Sequence, residues 1–138
     1  MATGYSGTPL AKKLGVKEAQ RTWRHNMPIT VSEEIALSGV RPTLLRSAES
    51  GLEMAHIFVT RRSDLRNVLR DVRDLLEPDG MIWVSWPKKA AKVPTDITED
   101  VVREEAFPLS LVDVKVCAVD ETWSGLKLVI RRSERGPG

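Results

Sequence analysis

A chain of 138 residues, 41% hydrophobic and 29% charged, has the size and composition of one globular domain with an ordinary hydrophobic core. Its 21 basic residues against 19 acidic ones leave a formal charge of +2, which argues against a dedicated nucleic-acid binder with a large basic excess. The single cysteine, Cys117, excludes an internal disulfide, and no apolar run approaches the ~18 residues of a membrane span, so a reduced, cytoplasmic protein is expected.

Residues 1–7 are small, polar and glycine-rich and read as a flexible N-terminal segment, with no charged stretch leading into an apolar one. Thr8 suits a helix cap, Pro9 the first helical position and Gly15 a left-handed close, which predicts a short helix from Pro9 to Leu14. Lys12, Lys13 and Lys17 read as solvated. A strand is expected near Gln20 to Arg24, although the stretch is polar for one buried on both faces. Met27-Pro28 then turns the chain, and Ser32 before Glu33-Glu34-Ile35-Ala36-Leu37 predicts a capped helix that stops before Gly39. Val40 to Leu45 is extended, and Pro42 demotes it to an edge or irregular strand.

From residue 52 the periodicities sharpen. Ala55 to Thr60 is a short apolar run suited to a central strand. Ser63 then caps a helix whose Leu65, Val68, Leu69, Val72, Leu75 and Leu76 form one apolar stripe. Arg66, Arg70 and Arg73, interleaved with Asp71 and Asp74, predict solvated pairs of mixed sign on its outer face. Glu77-Pro78-Asp79-Gly80 turns the chain into the strand Met81 to Trp86, completing a parallel, right-handed βαβ unit. Past Pro87 and the loop 88–94, Asp96 with Glu99 looks like an acidic capping box for a helix that Pro108 ends. Strands at Leu111 to Val119 and Leu126 to Arg131, with a short connection between them, should be antiparallel neighbours. The expected fold is a single Rossmann-like three-layer α/β domain over residues 8–132. Its sheet is mostly parallel with an antiparallel C-terminal strand pair, and residues 133–138 form a polar tail.

Open α/β sheets collect ligands at the carboxyl ends of parallel strands, where loops and helix N-termini converge. That rule selects Arg61, Arg62, Trp86, Lys88, Lys89, Thr95, Asp96, Thr122, Trp123 and Ser124 as candidate ligand-binding residues. Trp86 and Trp123 cap the core and tie a loop through the indole N–H, or stack on a planar ligand. Lys88 and Lys89 suit a phosphate or carboxylate, whereas Asp96, Glu99 and Asp100 complement a helix dipole. No metal site is expected from His25, His56 and Cys117, whose spacing is wrong; His56 reads as a satisfied core histidine and Cys117 as a buried thiol. The glycine patterns of dinucleotide and phosphate loops are absent, as is any serine elbow, so no catalytic residue is assigned.

Two resemblances follow. The order of elements over residues 52–131, with Leu76-Glu77-Pro78-Asp79-Gly80-Met81-Ile82-Trp83-Val84-Ser85 and the antiparallel terminal pair, resembles the C-terminal half of a class I S-adenosylmethionine-dependent methyltransferase. That family implies a glycine-rich turn and an acid after the first strand and another acid after the second. Here the corresponding stretches are His25-Asn26-Met27-Pro28 and Leu45-Arg46-Ser47, so no cofactor is assigned. The segments Gly4-Tyr5-Ser6-Gly7-Thr8-Pro9-Leu10, Lys13-Leu14-Gly15, Trp86-Pro87-Lys88-Lys89, 96–103 and 112–126 are similar to a family of short bacterial proteins of unknown function. The expectation is a non-catalytic binding or interaction domain, with a small anionic ligand or a protein as partner. An enzyme acting on a small anionic substrate, with a nucleotide-type cofactor, is the alternative. A nucleic-acid accessory role through Arg61, Arg62, Arg66 and Arg70 rests on charge alone, and nucleic acid ranks below the other partners.

Overall fold

The computed structural model describes residues 7–136, so the expected flexible segment lies, apart from Gly7, outside the described residues. Strands β1 (Arg21–His25), β2 (Thr43–Leu44), β3 (Leu52–Phe58), β4 (Leu76–Pro87), β5 (Leu111–Ala118) and β6 (Trp123–Ile130) form one sheet in the order β2-β1-β3-β4-β6-β5. The first four are parallel; β6 runs against both β4 and β5, as the short connection required. Helices α1 (Leu10–Leu14) and α2 (Ile29–Ala36) cover one face, and α3 (Arg62–Arg73) and α4 (Glu99–Ala106) the other. The result is a three-layer α/β domain of Rossmann type.

The two faces have separate cores because strand side chains alternate. Ala55, Ile57, Ile82, Val84, Trp86, Leu126 and Leu128 pack beneath α3 and α4. Met54, Phe58 and Trp83 pack beneath α1 and α2. Trp83 is fully buried, and its Nε1 donates to the Leu14 carbonyl oxygen at 2.8 Å, which fastens α1 to the sheet.

β1 tolerates its polar sequence because only Thr22 is buried in it. β2 spans two residues, and the chain returns from it across β1 to β3 through residues 45–51, which contain no helix. Leu45 and Ala48 of that crossover, with Trp23, are only partly buried against the core. A strand so thinly covered needs no continuous apolar run.

Several helix starts differ from expectation. α1 and α2 begin just after Pro9 and Pro28, which occupy the cap positions in extended backbone (ψ 144° and 143°) without a side-chain acceptor. Thr8 is therefore not the cap of α1, and Ser32 lies inside α2 with its Oγ donating to the Ile29 carbonyl. Gly15 closes α1 at φ +77°, as expected. α3 starts at Arg62, and its first amide donates to Asp96 Oδ1 at 2.6 Å, so the cap comes from a distant loop and not from Ser63. The cap of α4 is Thr98, whose Oγ1 accepts from Val101 N–H, in place of the Asp96–Glu99 box.

Leu65, Leu69 and Val72 form the buried stripe of α3, but Leu76 already belongs to β4, where it pairs with Leu52. The expected turn Glu77 to Gly80 is an irregularity within the strand: pairing jumps from Leu52–Leu76 to Met54–Met81. The pairs of mixed sign expected along α3 run between helices. Arg66 and Arg62 bind Glu105 of α4, and Arg73 Nε donates to the Leu109 carbonyl.

Candidate functional site

The winding of the sheet reverses between β1 and β3: from β1 the chain steps outward to β2, and from β3 it proceeds the other way. The carboxyl ends of these two strands, at His25 and Phe58, flank the switch point where open α/β sheets receive ligands. A polar and aromatic row crosses the α1–α2 face beside it. Arg24 pairs in register with His56, and its guanidinium is half-buried, with burial lowering its pKa. Among the described residues no carboxylate lies within ion-pair distance of it.

His56 is 1% exposed and shares a 2.8 Å hydrogen bond between Nε2 and Ser85 Oγ. Burial, helped by the charge of Arg24, pushes its pKa down to about 3, so the imidazole is neutral. Its ring stacks on Phe58 at 4.5 Å, and Phe58 meets the edge of Trp123 at 5.0 Å. The sequence signalled His56 as a core histidine, but its alignment with Arg24 depends on strand register, which no local pattern reveals.

Trp123 opens β6 opposite Pro87, and Lys88 N–H donates to the Thr122 carbonyl at 2.7 Å. The turn before it is held by Asp120 Oδ1, which accepts from the amides of Thr122 (2.8 Å) and Trp123 (2.7 Å). Gly125 lets the strand pass over Trp83: a Cβ there would stand 3.2 Å from the indole and from Val119. Lys88, Thr122, Trp123 and Ser124 are thus brought together at the sheet edge.

The other candidates divide from this group. Trp86 is buried on the opposite face among the residues beneath α3 and α4, where it packs into the core. Thr95 Oγ1 donates to the Thr60 carbonyl at 2.7 Å, and Asp96 caps α3. The Arg62 guanidinium is held by Glu104 and Glu105, whereas Arg61 is exposed at the start of α3 and Lys89 on a 3-10 turn. Thr95, Asp96 and Arg62 therefore form a clamp between the loop after β4 and α3. The buried indole N–H that ties a second element to the sheet belongs to Trp83, and it holds helix α1 and not a loop.

The β1 exit does not fit a methyltransferase cofactor held in the conventional way. Asn26 takes φ +55°, Met27 packs partly buried into the core beneath α1 and α2, and Pro28 enters α2. Side chains occupy the turn where backbone must approach a cofactor, and Leu44-Leu45-Arg46 at the end of β2 offers no acid. Among the described residues no cluster of His, Cys, Asp or Glu is arranged to hold a metal ion, and no helix is long and apolar enough to cross a membrane.

Several solved structures that share this fold are described as methyltransferases. A candidate type 11 methyltransferase from Sulfolobus solfataricus superposes with a TM-score of 0.64 at 15% identity, over 94% of this chain and 93% of that one. A SAM-dependent methyltransferase from Aquifex aeolicus gives 0.59 at 12% identity, covering 88% of each chain. Precorrin-6y C5,15-methyltransferase from Geobacter metallireducens gives 0.57 at 12%, over 88% of this chain and 85% of that one. At such identities the likeness is one of fold. No curated protein sequence matches the chain. A family profile matches residues 54–132, which run from β3 through the clamp, the Lys88 exit and the Trp123 turn; by that match the chain belongs to the family described as protein of unknown function (DUF3052).

Proposed function

We propose that this methyltransferase-like domain is a binding module that receives a small anionic ligand at the carboxyl edge of its sheet. Arg24 and Lys88 supply positive charge, and Trp123 an aromatic surface. The observation that carries this reading is Arg24: a half-buried guanidinium beside the switch point, without a carboxylate partner among the described residues. Burying an unpaired cation is unfavourable, and an incoming carboxylate or phosphate removes that penalty through a bidentate contact. Lys88 stands across the row, fixed by its backbone bond to Thr122.

A binding role is favoured over catalysis because the histidine of this row is inaccessible: His56 and Ser85 are 1% and 0% exposed. The half-buried His25 lies beside Trp23 with its ring tilted against the indole, on the other face of β1. The test is a thermal-shift screen with S-adenosylmethionine, nucleotides and phosphorylated metabolites. A ligand at a hundred times its Kd adds about 2.7 kcal/mol, a rise of several degrees. Arg24→Gln and Lys88→Gln should each abolish most of the rise, and Trp123→Phe should reduce it. No shift with any anion, or a shift untouched by Arg24→Gln, sinks the reading. Turnover of a stabilising compound favours the enzyme alternative.

A further inference from the structure

The arginines and lysines have divided roles. Every ion pair among the described residues uses an arginine: Arg21, Arg41, Arg62, Arg66 or Arg103. None of the eight lysines lies within ion-pair distance of a described carboxylate. Four of them share the α1 side of the β5–β6 hairpin. Lys115 Nζ donates to the Lys13 carbonyl at 3.1 Å, and Lys13 Nζ donates to the Ala118 carbonyl at 3.2 Å. Lys127 stands directly opposite Lys115 in the antiparallel pair and beside Trp83 of β4. Lys17 follows α1; partial burial, then the charges of Lys115 and Lys17, lower the pKa of Lys127.

Like charges directly opposite each other across a sheet are destabilising, and here no described acid offsets them. Lys13 and Lys115 are held in place by carbonyl acceptors and each keeps two N–H donors for a further partner. We propose that this lysine face, built from Lys13, Lys17, Lys115 and Lys127, docks the phosphate backbone of a nucleic acid without reading its bases. The proposal is independent of the ligand site at Arg24.

Three observations select this partner. The charge is spread along a helix and across two strands, which suits a chain of phosphates better than a single small anion. The cleft of about 220 Å³ beside Lys17 is lined also by Glu18, Glu53 and Asp79, so it gives a single small anion no cationic pocket, and the lysines are left on the open face. No large apolar side chain of α1 is exposed, which leaves the helix without the anchor of a membrane-surface helix; the exposed apolar side chains nearest it, Ile29 and Leu37 at the two ends of α2 and Val114 and Val116 of β5, belong to other elements and not to the lysine-bearing helix. Lysines act as point charges on phosphate, whereas base readout relies on planar groups such as arginine, so the docking is sequence-independent. The near-neutral total charge concealed this face, because the paired arginines mask the unpaired lysines.

The test is fluorescence anisotropy of a labelled mixed-sequence single-stranded oligonucleotide with the full chain. Binding should weaken steeply with salt, with a log–log slope of about −3 for four phosphate contacts. The quadruple variant K13Q/K17Q/K115Q/K127Q should lose at least about tenfold in affinity and most of the slope. The corresponding quadruple arginine variant, which keeps the charge, should retain binding; circular dichroism checks that both fold. Arg24→Gln should bind like the wild type, which separates this surface from the ligand site. No binding at low salt, equal binding by the folded glutamine variant, or tighter binding to polyglutamate or to phosphatidylserine-containing vesicles overturns the proposal.

Discussion

Glu105 provides the sharpest test of how the α3–α4 layer is held. Its side chain, 10% exposed, accepts from Arg66 Nε and Nη2, both at 3.0 Å, and from Arg62 Nε at 2.5 Å. The hydrogen bonds from Arg66, then those from Arg62, hold its carboxyl at about 2 against an ordinary 4.5. By linkage this corresponds to about 3 kcal/mol at neutral pH. Both arginines are substantially exposed, and solvent screening reduces the figure to about 1–2 kcal/mol. Because the folded pKa is depressed, the contribution is complete above pH ~5 and fades as the pH falls towards 2. Urea denaturation of wild type and Glu105→Gln should differ by about 1–2 kcal/mol at pH 7 and by less than half of that at about pH 3. A gap equal at both values would mean that the carboxylate charge is not what stabilises the pair of helices.

Trp83→Phe leaves the Leu14 carbonyl without its indole donor and should cost about 1–3 kcal/mol in urea denaturation, more than Trp86→Phe, whose indole N–H makes no hydrogen bond among the described residues. Thr98→Ala removes the cap of α4 and should cost about 1 kcal/mol, with Thr98→Ser close to neutral. Gly125→Ala pushes a methyl towards Trp83 and Val119 and should lower stability by about 1 kcal/mol or more, read as a drop in Tm. His56, with its pKa lowered to about 3, stays neutral in the fold while the unfolded chain protonates below about 6.5. Acidification from pH 6.5 towards 3 therefore destabilises the fold through this residue, and NMR should find its imidazole neutral at pH 5.

Where burial on both faces dictates composition, the fold was legible. β3 and β4 are apolar because helices cover them on either side, and the stripe Leu65, Leu69 and Val72 gave α3 directly. The misplaced helix caps have physical reasons that differ from helix to helix. Asp96 caps a helix that begins 34 residues earlier, so a local search assigned it to its own helix and assigned Ser63 to α3. Proline at the entry of α1 and α2 sets the backbone without leaving a side-chain signature at the cap. The region 18–50 was obscure because β1 is polar and thinly covered, and because β2 is only two residues long.

The candidate site was partly legible. A rule about sheet edges found Lys88 and Trp123, and the backbone bond from Lys88 to Thr122 joins their segments. The same rule also collected Arg62, Thr95 and Asp96, which lie on that edge but bind one another and α4. What separates the two groups is whether each polar side chain already has a partner. Arg62 has two carboxylates, whereas Arg24, Lys88 and the four lysines on the α1 side have none among the described residues. For the half-buried Arg24 guanidinium the missing counter-charge is unfavourable in the free protein, and that penalty is what an incoming anion would relieve. Strand register and helix docking decide which of these cations is left without a carboxylate, and sequence periodicity carries neither.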